Sequence, residues 1–293
     1  MSDSHSIGQA ASLACILEVT APKPGNVHRA ADFEDCALND FLASAVAIAP
    51  HMDRAGQVPV GETILRSIAA TRTVTTANTH LGIVLLLAPL AAGAATHPAD
   101  LRTGVKSALS KLTASDSKLV YQAIQLAKPG GINATDESPG AADMDVNGDA
   151  PDDLITAMRA AESYDMVARQ YSNGFADVFD FVTPRLCEAT TDRETMSLPD
   201  RIVFTQLQLM AEYPDSLIQR KCGKQTAAEA SARAANVIAS GAIGSDPYNA
   251  CLADLDFWLR SDGNRRNPGT TADLIAAGLY VALWEGRIGA PYG

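Results

Sequence analysis

Alanine-rich segments with apolar residues at helical spacing fill most of this chain. That pattern is the main constraint on the fold. Apolar side chains three and four apart line one face of a helix, whereas a half-buried strand needs strict alternation. The spacing predicts helices at about 6–20, 38–54, 60–74, 79–96, 99–112, 115–128, 152–182, 197–213, 224–241, 247–261 and 270–286. Alternating strand patterns are scarce, and aromatic residues make up only 5% of the chain, so sheet-forming side chains are in short supply. Small residues suit close helix–helix approach, so the predicted fold class is all-α, a single compact multi-helix domain over residues 1–293. No internal repeat of roughly 20–50 residues is visible, which sets solenoids aside.

One stretch breaks the pattern. From Pro129 to Asp153 the chain runs through Gly-Gly, Asn-Ala-Thr-Asp-Glu-Ser-Pro-Gly and an Asp-rich segment. It reads as a long acidic loop, either mobile or acting as a lid. Both flanks are alike in composition, so it need not separate two domains.

A formal charge of −11 repels nucleic acid and anionic membranes at long range, so neither is expected as a partner. Five scattered cysteines, odd in number and without a C-x-x-C pair, read as reduced thiols rather than a disulfide framework or a zinc site. No basic region precedes an apolar stretch at the N-terminus, so no signal peptide is expected. The apolar run Leu81 to Ala95 is too short to span a bilayer and contains Gly82, Pro89 and Gly93. The expected compartment is the cytoplasm, and a homodimer is compatible with the chain.

Five polar islands interrupt the helices. In the first, Pro22-Lys23-Pro24-Gly25-Asn26-Val27-His28-Arg29, two prolines and a glycine fix a rigid turn. It either orients Lys23, Asn26 and His28 for function or ends a helix. In the second, Asn78 or Thr79 suits the N-cap of the apolar run that follows. His80 then falls in the first turn, either beside a docked nucleotide or bonded to a backbone carbonyl. In the third, Asp165 and Arg169 are i,i+4 neighbours that could pair, with Gln170, Asn173 and Asp177 close by. In the fourth, Asp215 suits an N-cap and Gly223 a C-cap, which leaves Arg220, Lys221 and Lys224 together.

The fifth island is the strongest chemical signal. Arg260, Arg265 and Arg266 lie within seven residues, just before Asn267-Pro-Gly-Thr270-Thr-Ala-Asp273 and an apolar helical run. Arginine grips phosphate with a planar fork, and a helix start offers free N–H groups to anions. A phosphorylated small molecule is therefore the expected ligand. Thr270 with Asp273 also matches a capping box, which is the structural account of Asp273.

Taken together the islands resemble the triphosphoribosyl-dephospho-CoA synthase family, whose members carry P-K-P-G, N-T-H-x-G, D-[ST]-x-[IVL]-x-R and N-P-G-x-x-A-D. Here these stand as Pro22–Gly25, Asn78–Gly82, Asp215–Arg220 and Asn267–Asp273, in order along nearly the whole chain. The resemblance implies an all-helical enzyme that joins the ribose of ATP to a ribose hydroxyl of dephospho-CoA and expels adenine, making a prosthetic-group precursor. Founding members usually carry Lys after N-T-H, where this chain has Leu81. The PKPGNVHR, DMVARQY and DFWLRSDGNRRNPGTTAD spellings look instead like a subgroup of archaea and of C1-metabolising or planctomycete-type bacteria.

Such a transfer passes through an oxocarbenium-like carbon, and it needs cations on the triphosphate and proton-transfer groups. The resemblance implies Mg²⁺ as cofactor, with Asp215 and Asp273 as candidates for the metal or for general-base work and Asp165 and Asp177 behind them. Phosphates fall to Lys23, Arg260, Arg265 and Arg266, with Arg220 secondary and Arg169 and Asn267 as further contacts. Asn78 and His80 would orient the nucleotide, and His28 would act as acid or base. Two alternatives stand beside this reading. One is a nucleotide-using enzyme of tetrahydromethanopterin-linked one-carbon cofactor biosynthesis on the same scaffold. The other is a nucleotide-binding regulator without chemistry.

Overall fold

The structure is a computed structural model that describes residues 5–128, 150–187 and 196–292. Among the described residues there are fourteen α-helices. The first six are α1 (Ile7–Thr20), α2 (Leu38–Met52), α3 (Val60–Val74), α4 (Leu81–Thr96), α5 (Leu101–Ser110) and α6 (Ala114–Ala127). After the segment that is not described come α7 (Leu154–Ala161) and α8 (Met166–Asn173), then a π-helical stretch, Asp177–Val182, running into α9 (Thr183–Cys187). The last five are α10 (Leu198–Glu212), α11 (Ser216–Cys222), α12 (Lys224–Ala239), α13 (Asp246–Arg260) and α14 (Gly269–Trp284). Among the described residues there is no strand, only two isolated bridges. The all-α expectation is met.

Two helices organise the core. α4 is buried from Leu81 to Ala94 apart from Gly82, and α14 is apolar on all sides apart from Asp273. A helix apolar all round has no solvent face, so it must be central. α4 and α14 pack on each other and on α1, and α2, α3, α5 and α6 surround them. A second apolar cluster joins α10, α11, α12 and α13 through Val203, Leu207, Ile218, Ala234 and Leu259. α10 connects that cluster to α14 and α1.

The predicted run 152–182 is three helical pieces rather than one. Asp165 ends the first by capping α8, accepting from the N–H groups of Val167 at 2.8 Å and Ala168 at 3.1 Å. Gly174 ends the second at φ 69°, a left-handed conformation that glycine adopts without steric cost. Residues 129–149 of the expected acidic loop lie outside the described residues, and Asp153 at its end caps α7. The five cysteines form no disulfide among the described residues. Among the described residues no single helix is long and apolar enough to cross a membrane.

Candidate active site

A cleft of about 590 Å³ opens where the C-terminal end of α1 meets the N-terminal ends of α4, α8 and α14 and the face of α11. α6 and α7 supply an apolar wall that includes Tyr121, Ile124, Leu154 and Met158. Residues from all four sequence motifs border this space or support it.

Asp273 lines the cleft. The expected capping box with Thr270 does not form. α14 starts at Gly269 with Pro268 as its cap residue, so Thr270 and Asp273 both lie inside the helix. The Asp273 carboxylate turns instead onto Gly82, where a Cβ would fall within it. The glycine of N-T-H-x-G and the aspartate of N-P-G-x-x-A-D are therefore one contact. Burial pushes the Asp273 carboxyl well above the usual carboxylate range, and Glu18, Asp215 and Asp165 push the same way against Arg220. No protein donor bonds this carboxylate among the described residues, so its oxygens face the cleft. In the first turns of the two central helices the backbone N–H groups of Gly82 and Ile83 in α4 and Thr270 in α14, all on the cleft wall, also lack an acceptor among the described residues. The first turns of the two central helices thus offer the donors and partial positive charge that suit an anion.

Asp215 has a different environment. Its Oδ1 accepts from the N–H groups of Leu217 at 2.9 Å and Ile218 at 3.0 Å, capping α11. Its Oδ2 accepts from the N–H and hydroxyl of Thr271, both at 2.8 Å. The carboxylate is buried and fully occupied in tying α11 to α14, so it offers no free oxygen to a metal. Asp165 lines the cleft, with Oδ1 capping α8 and Oδ2 paired with Arg220 Nη1 at 3.4 Å. Arg220 also lines the cleft.

The PKPGN turn is a brace for the cleft. Lys23 is fully buried and pairs with Glu18 at 2.8 Å, where it also donates to the Glu18 carbonyl. It does not line the cleft, so it is not placed to hold phosphate. Glu18 does line it, and burial raises its carboxyl while Lys23 lowers it. Gly25, at φ 75°, lets its N–H reach Asp256 Oδ1 at 2.7 Å. The Asn26 amide donates to Asn267 Oδ1 at 2.6 Å and accepts from Gln206 Nε2 at 2.8 Å, so both asparagines are held at the cleft edge. His28 lies off the cleft. Its Nδ1 accepts from the Ala30 N–H at 3.3 Å, and burial and then Arg260 lower its pKa.

The arginines of the C-terminal block are not in the cleft either. Arg260 Nε donates to Asp256 Oδ1 at 2.8 Å, and its Nη2 holds the Asn26 carbonyl. Arg266 lies over the Trp258 ring at 4.5 Å and donates to the Trp258 carbonyl at 3.1 Å. Arg265 has a side chain 60% exposed and donates to the Lys221 carbonyl at 2.9 Å. All three fasten the loop between α13 and α14 to its surroundings. Arg169 pairs with Asp177, not with Asp165, at 2.9 Å, and Asp177 also accepts from Gln170 and Asn173. That network lies outside the cleft as well.

His80 precedes α4 and is 2% exposed, with its ring 5.8 Å from that of Phe41. Neither ring nitrogen has a partner among the described residues, and burial pushes its pKa down to about 3. It is therefore a neutral ring beneath the site, without the backbone bond considered for it. Asn78 and Thr79 do line the cleft. Asn78 Oδ1 accepts from the Leu81 N–H at 3.3 Å, and Thr79 donates to the Ser44 hydroxyl at 2.8 Å.

Sequence reasoning missed Glu18, Gln206 and Asp256. Only Glu18 carried a visible signal, an acid in an apolar helical run five residues before a lysine.

The family model described as ATP:dephospho-CoA triphosphoribosyl transferase matches residues 4–291. Among solved structures the chain is similar to a candidate triphosphoribosyl-dephospho-CoA synthase from Archaeoglobus fulgidus, at 23% identity and a TM-score of 0.63. The likeness covers 84% of this chain and 100% of that one, and it speaks to the fold. No curated protein matches the chain. With a family match over nearly its whole length, on the helical fold and motif-lined cleft described above, the chain belongs to the ATP:dephospho-CoA triphosphoribosyl transferase family, enzymes that join the ribose of ATP to dephospho-CoA.

Proposed function

We propose that this cleft transfers the triphosphoribosyl group of ATP to a ribose hydroxyl of dephospho-CoA, with Asp273 as the proton-transferring residue. The observation that carries the reading is an unbonded carboxyl of raised pKa between two helix starts with free N–H groups. Those N–H groups and Arg220 receive the triphosphate, which fixes the ribose near Asp273. As the bond from C1′ to adenine breaks, the electron pair leaves with the base. A neutral Asp273 carboxyl supplies the proton that adenine needs to depart. The acceptor hydroxyl oxygen then bonds to the oxocarbenium-like carbon, and its proton returns to Asp273. Asp215, Asn26 and Asn267 act by position, since each braces a segment that borders the cleft.

Magnesium fits only as an ion carried by the phosphates. No group of three or more His, Cys, Asp or Glu among the described residues is arranged to hold a metal. Mg²⁺ needs just one or two carboxylates beside phosphate oxygens. Asp165 is the cleft carboxylate that would hold it, and the ion would neutralise triphosphate charge. Two soluble anionic substrates agree with the cytoplasmic setting expected from the sequence.

One observation favours a second acceptor. Leu81 lines the cleft where the founding members of the family usually carry lysine, which suits a one-carbon-cofactor acceptor on the same scaffold. Mass spectrometry of a reaction with ATP, Mg²⁺, dephospho-CoA and a tetrahydromethanopterin-pathway compound decides between them. Dephospho-CoA gaining one triphosphoribosyl unit supports the proposal. Unchanged dephospho-CoA, with a pterin-pathway compound modified in its place, overturns the acceptor assignment.

A further inference from the structure

We infer that Lys221 is the unpaired phosphate-gripping cation of the cleft, acting beside the Asp165-paired Arg220, a role that rests on the reading above and assigns its triphosphate a residue outside the four motifs. Three side chains of positive charge line the space among the described residues, Lys128, Arg220 and Lys221. Arg220 is paired with Asp165. Lys128 is exposed and lies at the far end of α6. Lys221 is half-buried and has no carboxylate within ion-pair distance among the described residues. A compact ammonium held partly out of water without a counter-charge is suited to receive an anion.

Its direction follows from α11. Leu217 lies one turn before Lys221, on the same face of the helix. Leu217 packs so closely on the first residue of α14 that a Cβ on Gly269 would lie 2.6 Å from Leu217 Cδ2. The face of α11 that carries Lys221 is therefore the face turned to the start of α14, where the Thr270 N–H has no acceptor among the described residues. The lysine backbone is fixed at both ends of its turn. Arg265 holds the Lys221 carbonyl at 2.9 Å, and Gly223 ends the helix at φ 88°. The arginine of the C-terminal block thus contributes to the site by holding the residue that faces it. Burial, and then Arg220, lower the Lys221 pKa, and a bound polyphosphate would reverse that shift.

Calorimetry with inorganic tripolyphosphate and, separately, adenosine tests the assignment on the full chain. Replacing Lys221 by Met is expected to weaken tripolyphosphate by about 10- to 100-fold and to leave adenosine within about twofold. Lys221→Arg should restore most of the loss, and Lys224→Ala, at an exposed residue that does not line the cleft, should change neither. If Lys221→Met fails to fold by circular dichroism, Lys221→Gln takes its place in the comparison. Wild-type protein that does not bind tripolyphosphate, an unchanged affinity in the variant, or equal losses for both ligands would overturn the inference. Lys221-dependent binding of tripolyphosphate in a protein that releases no adenine from ATP would uphold it while refuting the proposed reaction.

Discussion

Gly82 lies so close to the Asp273 carboxylate that any side chain at position 82 would occupy the same space. The contact joins the first turn of α4 to the first turn of α14, both set in the buried core. Neither backbone can retreat, so the carboxylate would have to move. Gly82→Ala is expected to cost about 1–3 kcal/mol as an overpacked contact and to abolish most of the activity. Adding Asp273→Ala should recover stability but not activity. A double-mutant cycle by urea denaturation measures this, and additive losses would contradict the contact.

Asp273 predicts a pH dependence of stability. Its folded pKa is raised above the usual 3.8, so the folded state binds more protons than the unfolded chain between that value and the raised one. Stability from this group is therefore full below the usual carboxylate pKa and is lost as pH rises through the raised value. Asp273→Asn cannot ionise and escapes the loss. Its stability relative to wild type should be greater at pH 8 than at pH 4, by denaturant titration at both. A difference that does not vary with pH would mean that Asp273 titrates alike in the folded and unfolded chain.

Asp215 is expected to act on stability rather than on the chemistry. Its carboxylate takes four hydrogen bonds that hold two helix starts together. Asp215→Ala should cost about 2–4 kcal/mol, and Asp215→Asn less, because one oxygen survives. In the folded fraction kcat should stay within about tenfold of wild type. A loss of kcat as large as that of Asp273→Asn, with an unchanged melting temperature, would put Asp215 in the chemistry itself.

The helical architecture is legible because α4, and α14 apart from Asp273, are apolar all round and the remaining runs keep helical spacing. The breaks in 152–182 are not, because the Asp165 cap and the Gly174 turn are local events inside a continuous apolar period. Asp273 and Asn267 are readable from their motif. The arginine block misleads for a physical reason. A cluster of charge in sequence says nothing of partners far along the chain, and Arg260 reaches Asn26 while Arg265 reaches Lys221. Lys23 misleads for another reason, since its partner is only five residues away. The turn after α1 folds the lysine back onto Glu18, which spacing alone does not distinguish from a solvated side chain.

That buried pair carries its own prediction. Removing one partner strands a charge away from water, so Lys23→Met should cost about 3–5 kcal/mol. Lys23→Met combined with Glu18→Gln should recover much of this in denaturant titration. A single variant as stable as wild type would show that the pair does not brace the turn.

The most direct test of the account is the rate of adenine release from ATP, with Mg²⁺ and dephospho-CoA present, in wild-type and Asp273→Asn protein. Adenine is the informative product because cleavage at phosphorus yields ADP or AMP, whereas attack at the ribose carbon frees the base. The account predicts free adenine in step with modified dephospho-CoA, slowed about 10²- to 10⁴-fold by Asp273→Asn in a protein that stays folded. ADP or AMP in place of adenine, or adenine released at the same rate by Asp273→Asn, would contradict it.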